Sequence, residues 1–520
     1  MEQRELQSLL RPEAYPDVTH TVQLKQTHIS YIFLTDRFVY KVKKPVDFGF
    51  LNFTTIDRRR FYCHEEVRLN RRLSPDVYLG VVELRSAEDG LAFTGSGAVI
   101  DYAVKMVRLP EEQMLDSLLG ANKLNEAAIR RVARTVAAFH LKAEAAPEID
   151  QYGTSETIAR TWEENFSLAS DFIGETLTMN DFSFMRQGVE GFMAANAALF
   201  DERIARGFIR DCDGDLHMEN ICLGEEVWIF DCIEFNARFR YIDTASDIAF
   251  LLMDLEYHFR PDLSAAFLDE YCAVSGDDGC RPLLDFYKIY RAFVRGKVAS
   301  LQLRDPDIPA EAHAAARQRA LGYFRLARGY LLRNSLPPTL ILVSGLMGSG
   351  KSTVAMLLGR ELGVQVMSSD RVRKELYRVA DSRSHDSFGA GLYSAEADAR
   401  TYDELLVRGL GRLALGESVV VDATFRRIAD RRRFQEAAAA GGYGFFLAKT
   451  DCPDELIRQR LAKRDESGSG ISDGRLELFD YHLASYESPE ASGEEFLPVP
   501  TAGDVWTSVD TILGSLGVLP

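Results

Sequence analysis

Two groups of residues in this 520-residue chain have the types and spacing needed to handle phosphate. The first is GLMGSGKST, running from Gly345 to Thr353. Gly345, Gly348 and Gly350 let the backbone curl until successive amides point inward at a phosphate. Lys351 then reaches the β and γ phosphates, and Ser352, followed by Thr353, offers a hydroxyl to a magnesium ion. The second group is DGDLHMEN, from Asp213 to Asn220, followed by VWIFD ending at Asp231. Asp215, separated from Asn220 by four residues, is spaced to orient an attacking alcohol and take its proton, while Asn220 and Asp231 are spaced to hold a metal ion.

The elements that must position the first group are readable around it. TLILVS before it has the apolar, β-branched make-up of a strand, and TVAMLLGREL after it has the apolar period of a helix, so the helix dipole adds to the phosphate cradle. Two further apolar runs end in carboxylates, VQVMSSD at Asp370 and ESVVVDAT at Asp422. Carboxyl ends of strands in an open α/β sheet line the ligand crevice. Asp422 there suits magnesium and Asp370 suits accepting a proton from an acceptor hydroxyl; either also fits a helix N-cap. In LIRQRLAKRDE, Arg460 and Arg464 fall four apart on one helix face, where they would close over a triphosphate and stabilise charge developing in transfer. A solvated basic face has the same spacing.

The amino-terminal half lacks such a loop, and its pieces are dispersed. FVYKVKK places Lys41 on an alternating strand, with Lys43 beside it on the same strand face. The charged helix FYCHEEVRLNRRL offers Glu66 as the ion-pair partner of Lys41, in competition with Glu65. Lys, Glu, Asp-x4-Asn, Asp is the order in which kinases carry these groups. KQTHISYIFL, between the first two strands, contains no Gly, and Thr27, His28 and Ser30 are its candidates to cover a triphosphate through hydroxyls and backbone amides. His217 is read as a side chain tying down the loop. Arg291, Arg295 and Lys297 form either a solvated face or a grip on an anionic substrate.

From about Thr339 onward, GLMGSGKST, SSDRVRKE, VVVDATFRR and the Arg-rich segment resemble the small P-loop kinases that include phage polynucleotide kinase, the zeta toxins and gluconate kinase. The resemblance implies transfer of a γ-phosphate to a hydroxyl, with Asp370 as the substrate-side carboxylate and Arg426 as a substrate contact. Over roughly residues 20 to 300 the chain resembles the aminoglycoside phosphotransferase group of the protein-kinase-like superfamily. That group reads HGDLHPGN where this chain has DGDLHMEN, so Asp213 replaces a largely architectural His. The whole chain, with VYKVKKPVDFGFLNF and RRLSPDVYLGVV, resembles bacterial fusions of these two halves. What this implies is a bifunctional kinase, and drug resistance does not follow from the family's name.

The expected fold class is thus α/β and α+β multidomain: a two-lobed kinase-like fold over residues 1–306 (small lobe about 20–110, large lobe about 111–306), a connecting helix and linker over 307–338 ended by Pro337-Pro338, and a P-loop parallel sheet flanked by helices over 339–520. The cofactors implied are ATP and/or GTP with Mg2+. The expected partner is a small molecule bearing a hydroxyl, of the sugar, nucleoside or cyclitol class. A formal charge of −17, from 61 Lys and Arg against 78 Asp and Glu, disfavours long nucleic acid. Seven scattered cysteines with no C-x-x-C pair fit reduced thiols, and no apolar run suggests a signal peptide or anchor, so the cytoplasm is expected. The alternative from another class is a nucleotide-binding regulatory protein whose P-loop half alone is active.

Overall fold

Alternating side chains in SYIFL and FVYKVK build a hairpin whose inward face is aromatic and aliphatic, and this hairpin seeds the amino-terminal sheet. In the computed structural model, residues 1–304, 309–377, 394–467 and 479–519 are described, with the side chains of 464–467 and 481 outside that set. The first sheet holds β1 (Gln23–Gln26), β2 (Ser30–Leu34), β3 (Phe38–Lys43), β4 (Tyr78–Ala87), β5 (Gly90–Ala92) and β6 (Val99–Val107), in the order β1-β2-β3-β6-β4-β5. Every neighbouring pair in it is antiparallel. Phe33, Tyr40, Val42, Leu84 and Ala103 pack one face. The other face receives the helix Ile56–Asn70, started by Thr55, whose hydroxyl accepts the Arg58 amide at 3.3 Å as an N-cap should.

Beyond this sheet, short strands frame the loops. β7 (Ile209–Asp211) pairs with β10 (Tyr241–Asp243), and between them β8 (Ile221–Leu223) and β9 (Val227–Ile229) form an antiparallel hairpin. Asn220 directly precedes β8 and Asp231 is the second residue after β9, so the hairpin register, Ile221 opposite Ile229, brings the two metal-ligand candidates to one end.

The carboxy-terminal sheet contains β11 (Thr339–Ser344), β12 (Val366–Ser368), β13 (Val419–Asp422), β14 (Gly444–Asp451) and β15 (Leu497–Pro500), in the order β12-β13-β11-β14-β15 and parallel throughout. Leu340 and Leu342 point to one core, Ile341 and Val343 to another, as a strand buried on both faces requires. The fold class is therefore as expected, α/β and α+β: an antiparallel sheet with helices in the amino-terminal part, and a parallel P-loop sheet flanked by helices.

The chain divides into two compact units. One comprises Met1–Glu164, Gly191–Asp254 and Leu263–Lys288; the other comprises Asn165–Glu190, Leu255–Asp262 and Ile289–Pro520. The helix Ala310–Asn334 lies in the second unit, where Leu332 joins the core containing Val354, Leu358 and Leu362 of the P-loop helix. Among the described residues no helix is long and apolar enough to cross a membrane.

Candidate active sites

In the first unit, Lys41 on β3 bonds both Glu66, at 2.9 Å, and Asp231. Lys41 and Glu66 are buried, Glu66 entirely. Burial opposes the Lys41 charge, yet Asp231 and Glu66 outweigh it and hold the ammonium well above its usual range. Burial likewise works against the Glu66 carboxylate, but Lys41 and Lys43 pull it down to about 2. The competitor Glu65 faces outward and pairs with Arg68 at 2.7 Å. Lys43 is not a solvated neighbour. It is 1 % exposed and bonds Glu66 Oε2 at 2.5 Å and Glu234.

Asn220 Nδ2 donates to the Asp215 carbonyl and to Asp215 Oδ2, both at 3.1 Å, so the candidate base and the metal-ligand candidate are held together. With the amide nitrogen so committed, the Asn220 amide oxygen and the Asp231 carboxylate, whose side chain is 44 % exposed, make an oxygen donor pair. That chemistry fits a hard divalent cation such as Mg2+. Asp231 adopts φ 65°, a left-handed conformation costly for a residue with a Cβ and typical of functional positions. Its amide donates to Tyr78 Oη at 3.0 Å, and the next amide, of Cys232, donates to Asn70 Oδ1 at 2.9 Å.

The loop carrying Asp215 hangs from the helix Thr244–Tyr257. Asp247 there accepts the amides of Asp213 and Gly214, and Asp254 accepts that of Met218. Asp213 Oδ1 accepts the Asp215 amide at 3.1 Å, while burial, with Asp247 and Asp215 nearby, pushes the Asp213 carboxyl up to about 8. His217 is buried with Nε2 3.4 Å from Asp215 Oδ2, so it lies against Asp215 as well as inside the loop. His140, Cys212 and Asp247 come within ligating reach of one another, but His140 is engaged with Tyr271 and Asp247, and Asp247 with two amides. The trio is the buttress of the loop.

The turn between β1 and β2 closes on itself. Thr27 Oγ1 accepts the amides of Ile29 and Ser30 at 3.3 and 3.0 Å, and Ser30 is fully buried. Two amides that a glycine loop would turn toward phosphate are thus spent inside the turn. His28 is exposed.

In the second unit, Gly345, Gly348 and Gly350 all take positive φ, 147°, 76° and 94°. A Cβ on Gly345 would lie 2.1 Å from Thr450 Oγ1, so this turn requires glycine. The helix Lys351–Leu362 begins directly after Gly350, which places Lys351, Ser352 and Thr353 in its first turn. The β11/β13 register sets Asp422 opposite Val343, and that of β12/β13 sets it opposite Ser368. Burial raises the Asp422 carboxyl, against the pull of Lys351 and the hydroxyls of Ser352 and Ser368, and Asp422 Oδ1 has no hydrogen-bond partner among the described residues. An orphaned carboxylate oxygen beside a P-loop hydroxyl fits Mg2+.

Asp370 lies in the first turn of the helix Ser369–Tyr377 and pairs with Arg373 at 3.2 Å. Arg460 donates to the Thr501 carbonyl at 2.7 Å and stands near Gly350. The Arg464 side chain lies outside the described residues. Arg426 donates to Ser485 Oγ at 3.3 Å.

Sequence reasoning missed Glu234, Asp247 and His482. Burial, with Arg426 and Lys351 nearby, lowers the His482 imidazole to about 4, so it is neutral in this crevice. For Glu234 a signal existed: two lysines on one strand face, inside an apolar run, require partner carboxylates. For Asp247 it was an acid within the apolar helix TASDIAFLLMDLEY.

A family model described as AAA domain matches residues 340–489. The uncharacterized protein Rv2004c of Mycobacterium tuberculosis is 32% identical over 484 residues, 93% of each chain. Among solved structures, a choline/ethanolamine kinase family protein from Mesorhizobium loti aligns with TM-score 0.39 and 14% identity over 62% of this chain and 94% of its own. A sugar kinase from Janibacter sp. aligns with TM-score 0.29 and 19% identity over 35% and 97%.

Proposed function

The chain belongs to the family of the Mycobacterium tuberculosis protein Rv2004c, and we propose that it joins a kinase-like domain to a P-loop domain and is a tandem small-molecule kinase with two phosphotransfer sites. The kinase-like domain is assigned to residues 1–306 and the P-loop domain to 339–520. Each site uses a nucleoside triphosphate, ATP or GTP, and transfers its γ-phosphoryl group to a hydroxyl of a metabolite.

The observation that carries this reading is the gathering of Lys41, Glu66, Asp215, Asn220 and Asp231, drawn from a strand, a helix, a loop and a hairpin, by direct hydrogen bonds and the β8/β9 register. In this assignment Asp215 orients the acceptor alcohol and takes its proton, and Lys41 meets phosphate oxygens. Asn220 and Asp231 would hold Mg2+, which when bound neutralises charge on the phosphates. In the second site Lys351 and the P-loop amides cradle the phosphates, Ser352 and Asp422 would hold Mg2+, and Asp370 receives the acceptor proton. Arg460 and Arg464 are assigned to stabilising charge on the transferring group. Sharing one polypeptide suits a relay in which one site's product is the other's acceptor, of sugar, nucleoside or cyclitol type.

Mass spectrometry of a metabolite extract incubated with ATP and the protein tests this. Asp215→Asn and Lys351→Ala should each abolish a different phosphorylated product. If Asp215→Asn leaves every product unchanged, the amino-terminal half is not a kinase. One observation favours a second reading, in which that half binds nucleotide only to regulate the other: the turn Thr27–Ser30 spends two of its amides on itself. Under that reading Asp215→Asn is silent while Lys41→Met alters P-loop turnover.

A further inference from the structure

We infer that Lys43 and Glu234 form a second, buried cation–carboxylate clasp that positions Glu66 and the Asp231 segment to receive nucleotide in the amino-terminal site, an inference that rests on the kinase reading of that site. Lys43 follows Lys41 by two residues on the same face of β3. Its ammonium sits between Glu66 Oε2, at 2.5 Å, and Glu234, with the Phe53 ring 4.9 Å away. At 1 % exposure it is too deep to serve as a phosphate ligand itself.

The two oxygens of Glu66 are divided between two cations, Oε1 to Lys41 and Oε2 to Lys43. This division matters because Lys41 is also bonded to Asp231. For Lys41 to meet phosphate oxygens, its hold on Asp231 must loosen and its ammonium must be shared between Glu66 and the phosphate. A wholly buried Glu66 left without a counter-ion would be costly, and Lys43 is the cation that keeps Glu66 neutralised in place. Burying so many charges is poor value for stability alone, so the cluster is better explained by the geometry it enforces.

Glu234 adds the second half of the clasp. It lies three residues after Asp231, on a segment already pinned by the Asp231 amide on Tyr78 and the Cys232 amide on Asn70. Beside Lys41–Asp231, the Lys43–Glu234 pair is a second charged tie between β3 and the segment that carries Asp231. In a site whose β1–β2 turn spends two amides on itself, this tie fixes from the interior what a glycine loop would fix from above.

The test uses the full-length protein carrying Lys351→Ala, so that nucleotide binding reports the amino-terminal site. Calorimetry with Mg2+ and AMPPNP, a nonhydrolysable ATP analogue, is paired with hydrogen exchange of the amides from Asp231 to Glu234. Lys43→Met and Glu234→Gln should each weaken AMPPNP binding by about tenfold or more, as loss of an outer-shell partner does, and speed that exchange. Lys43→Arg, which keeps the charge, should stay within about threefold of the parent. Glu234→Gln keeps shape and an acceptor oxygen, so it serves if Lys43→Met does not fold. Unchanged binding and exchange, with only a lowered melting temperature, would overturn the clasp. Binding that depends on Lys41 but not on Lys43 sinks the clasp alone. No binding by the parent removes the kinase reading and the clasp with it.

Discussion

Asp247 Oδ1 accepts the amide proton of Gly214 at 2.9 Å, so the residue next to Asp215 is suspended from a carboxylate with no exposure of its own. Its other oxygen accepts the Asp213 amide at 3.1 Å and meets His140 Nε2 at 3.0 Å. Asp247→Ala would orphan two buried amides, each costing about 1–3 kcal/mol. Chemical denaturation should show a loss of about 3 kcal/mol or more, with amino-terminal transfer abolished and the Lys351-dependent product retained. Retention of both products would show that the loop keeps its shape without this support.

Asp215→Asn separates binding from chemistry. The amide keeps the size of the carboxylate and the contact with Asn220 but cannot take a proton. Turnover at the amino-terminal site should fall roughly a thousandfold, within the usual range for a lost general base, while nucleotide affinity in a Lys351→Ala background stays unchanged. Parallel losses of turnover and affinity would move Asp215 from proton acceptor to nucleotide ligand.

Asp213 gives a pH signature. Its carboxyl is held up at about 8 against an ordinary 3.8, so between those values the folded chain keeps a proton that the unfolded chain has released. Stability contributed at this position therefore falls as pH rises through that window and levels off above it. Asp213→Asn removes the titration and keeps an acceptor for the Asp215 amide. Urea unfolding at about pH 5 and about pH 8 should show the variant gaining on the parent as pH rises. Curves that stay parallel would mean that the carboxyl is already ionised in the folded chain.

How much of this was legible follows from distance along the chain. The P-loop was readable because strand, glycines, lysine and helix are contiguous, and Asp215, Asn220 and Asp231 because they flank one short hairpin. Glu66 could not be separated from Glu65 by type alone, since only the rotation of the helix against β6 decides which faces Lys41. The pairing of Lys43 could not be read because its partner Glu234 lies 191 residues away. Nothing in DGDLHMEN shows that burial, with Asp247 and Asp215 nearby, pushes the Asp213 carboxyl up to about 8, because Asp247 lies 34 residues further along the chain.

Asp422 sets stability against function. Its Oδ1 is buried without a hydrogen-bond partner among the described residues, an arrangement that costs about 1–3 kcal/mol in the absence of a cation. Asp422→Asn should raise the melting temperature of the ligand-free protein and remove the further rise that Mg2+ and AMPPNP give through the P-loop site. A variant that melts lower than the parent without ligand would show that the carboxylate is fully satisfied by Ser352 and Ser368.

Arg328, 5 % exposed on the helix Ala310–Asn334, bonds Asp181 at 2.8 Å, Glu361 at 3.0 Å and Asp510 at 3.0 Å. Glu361 closes the last turn of the helix that Lys351 opens, so this guanidinium fixes the far end of the P-loop helix. Arg328→Met keeps most of the volume but leaves Glu361 with Arg325 as its remaining cation, and should cost about 3–5 kcal/mol, as breaking a buried pair does. Replacing both partners, Arg328→Met with Glu361→Leu, should recover much of that loss, because the desolvation of both ions is removed together. Urea midpoints of the single and double variants measure the difference. A double variant no more stable than the single would mean that Arg328 matters chiefly to Asp181 and Asp510, with Glu361 held by Arg325 alone.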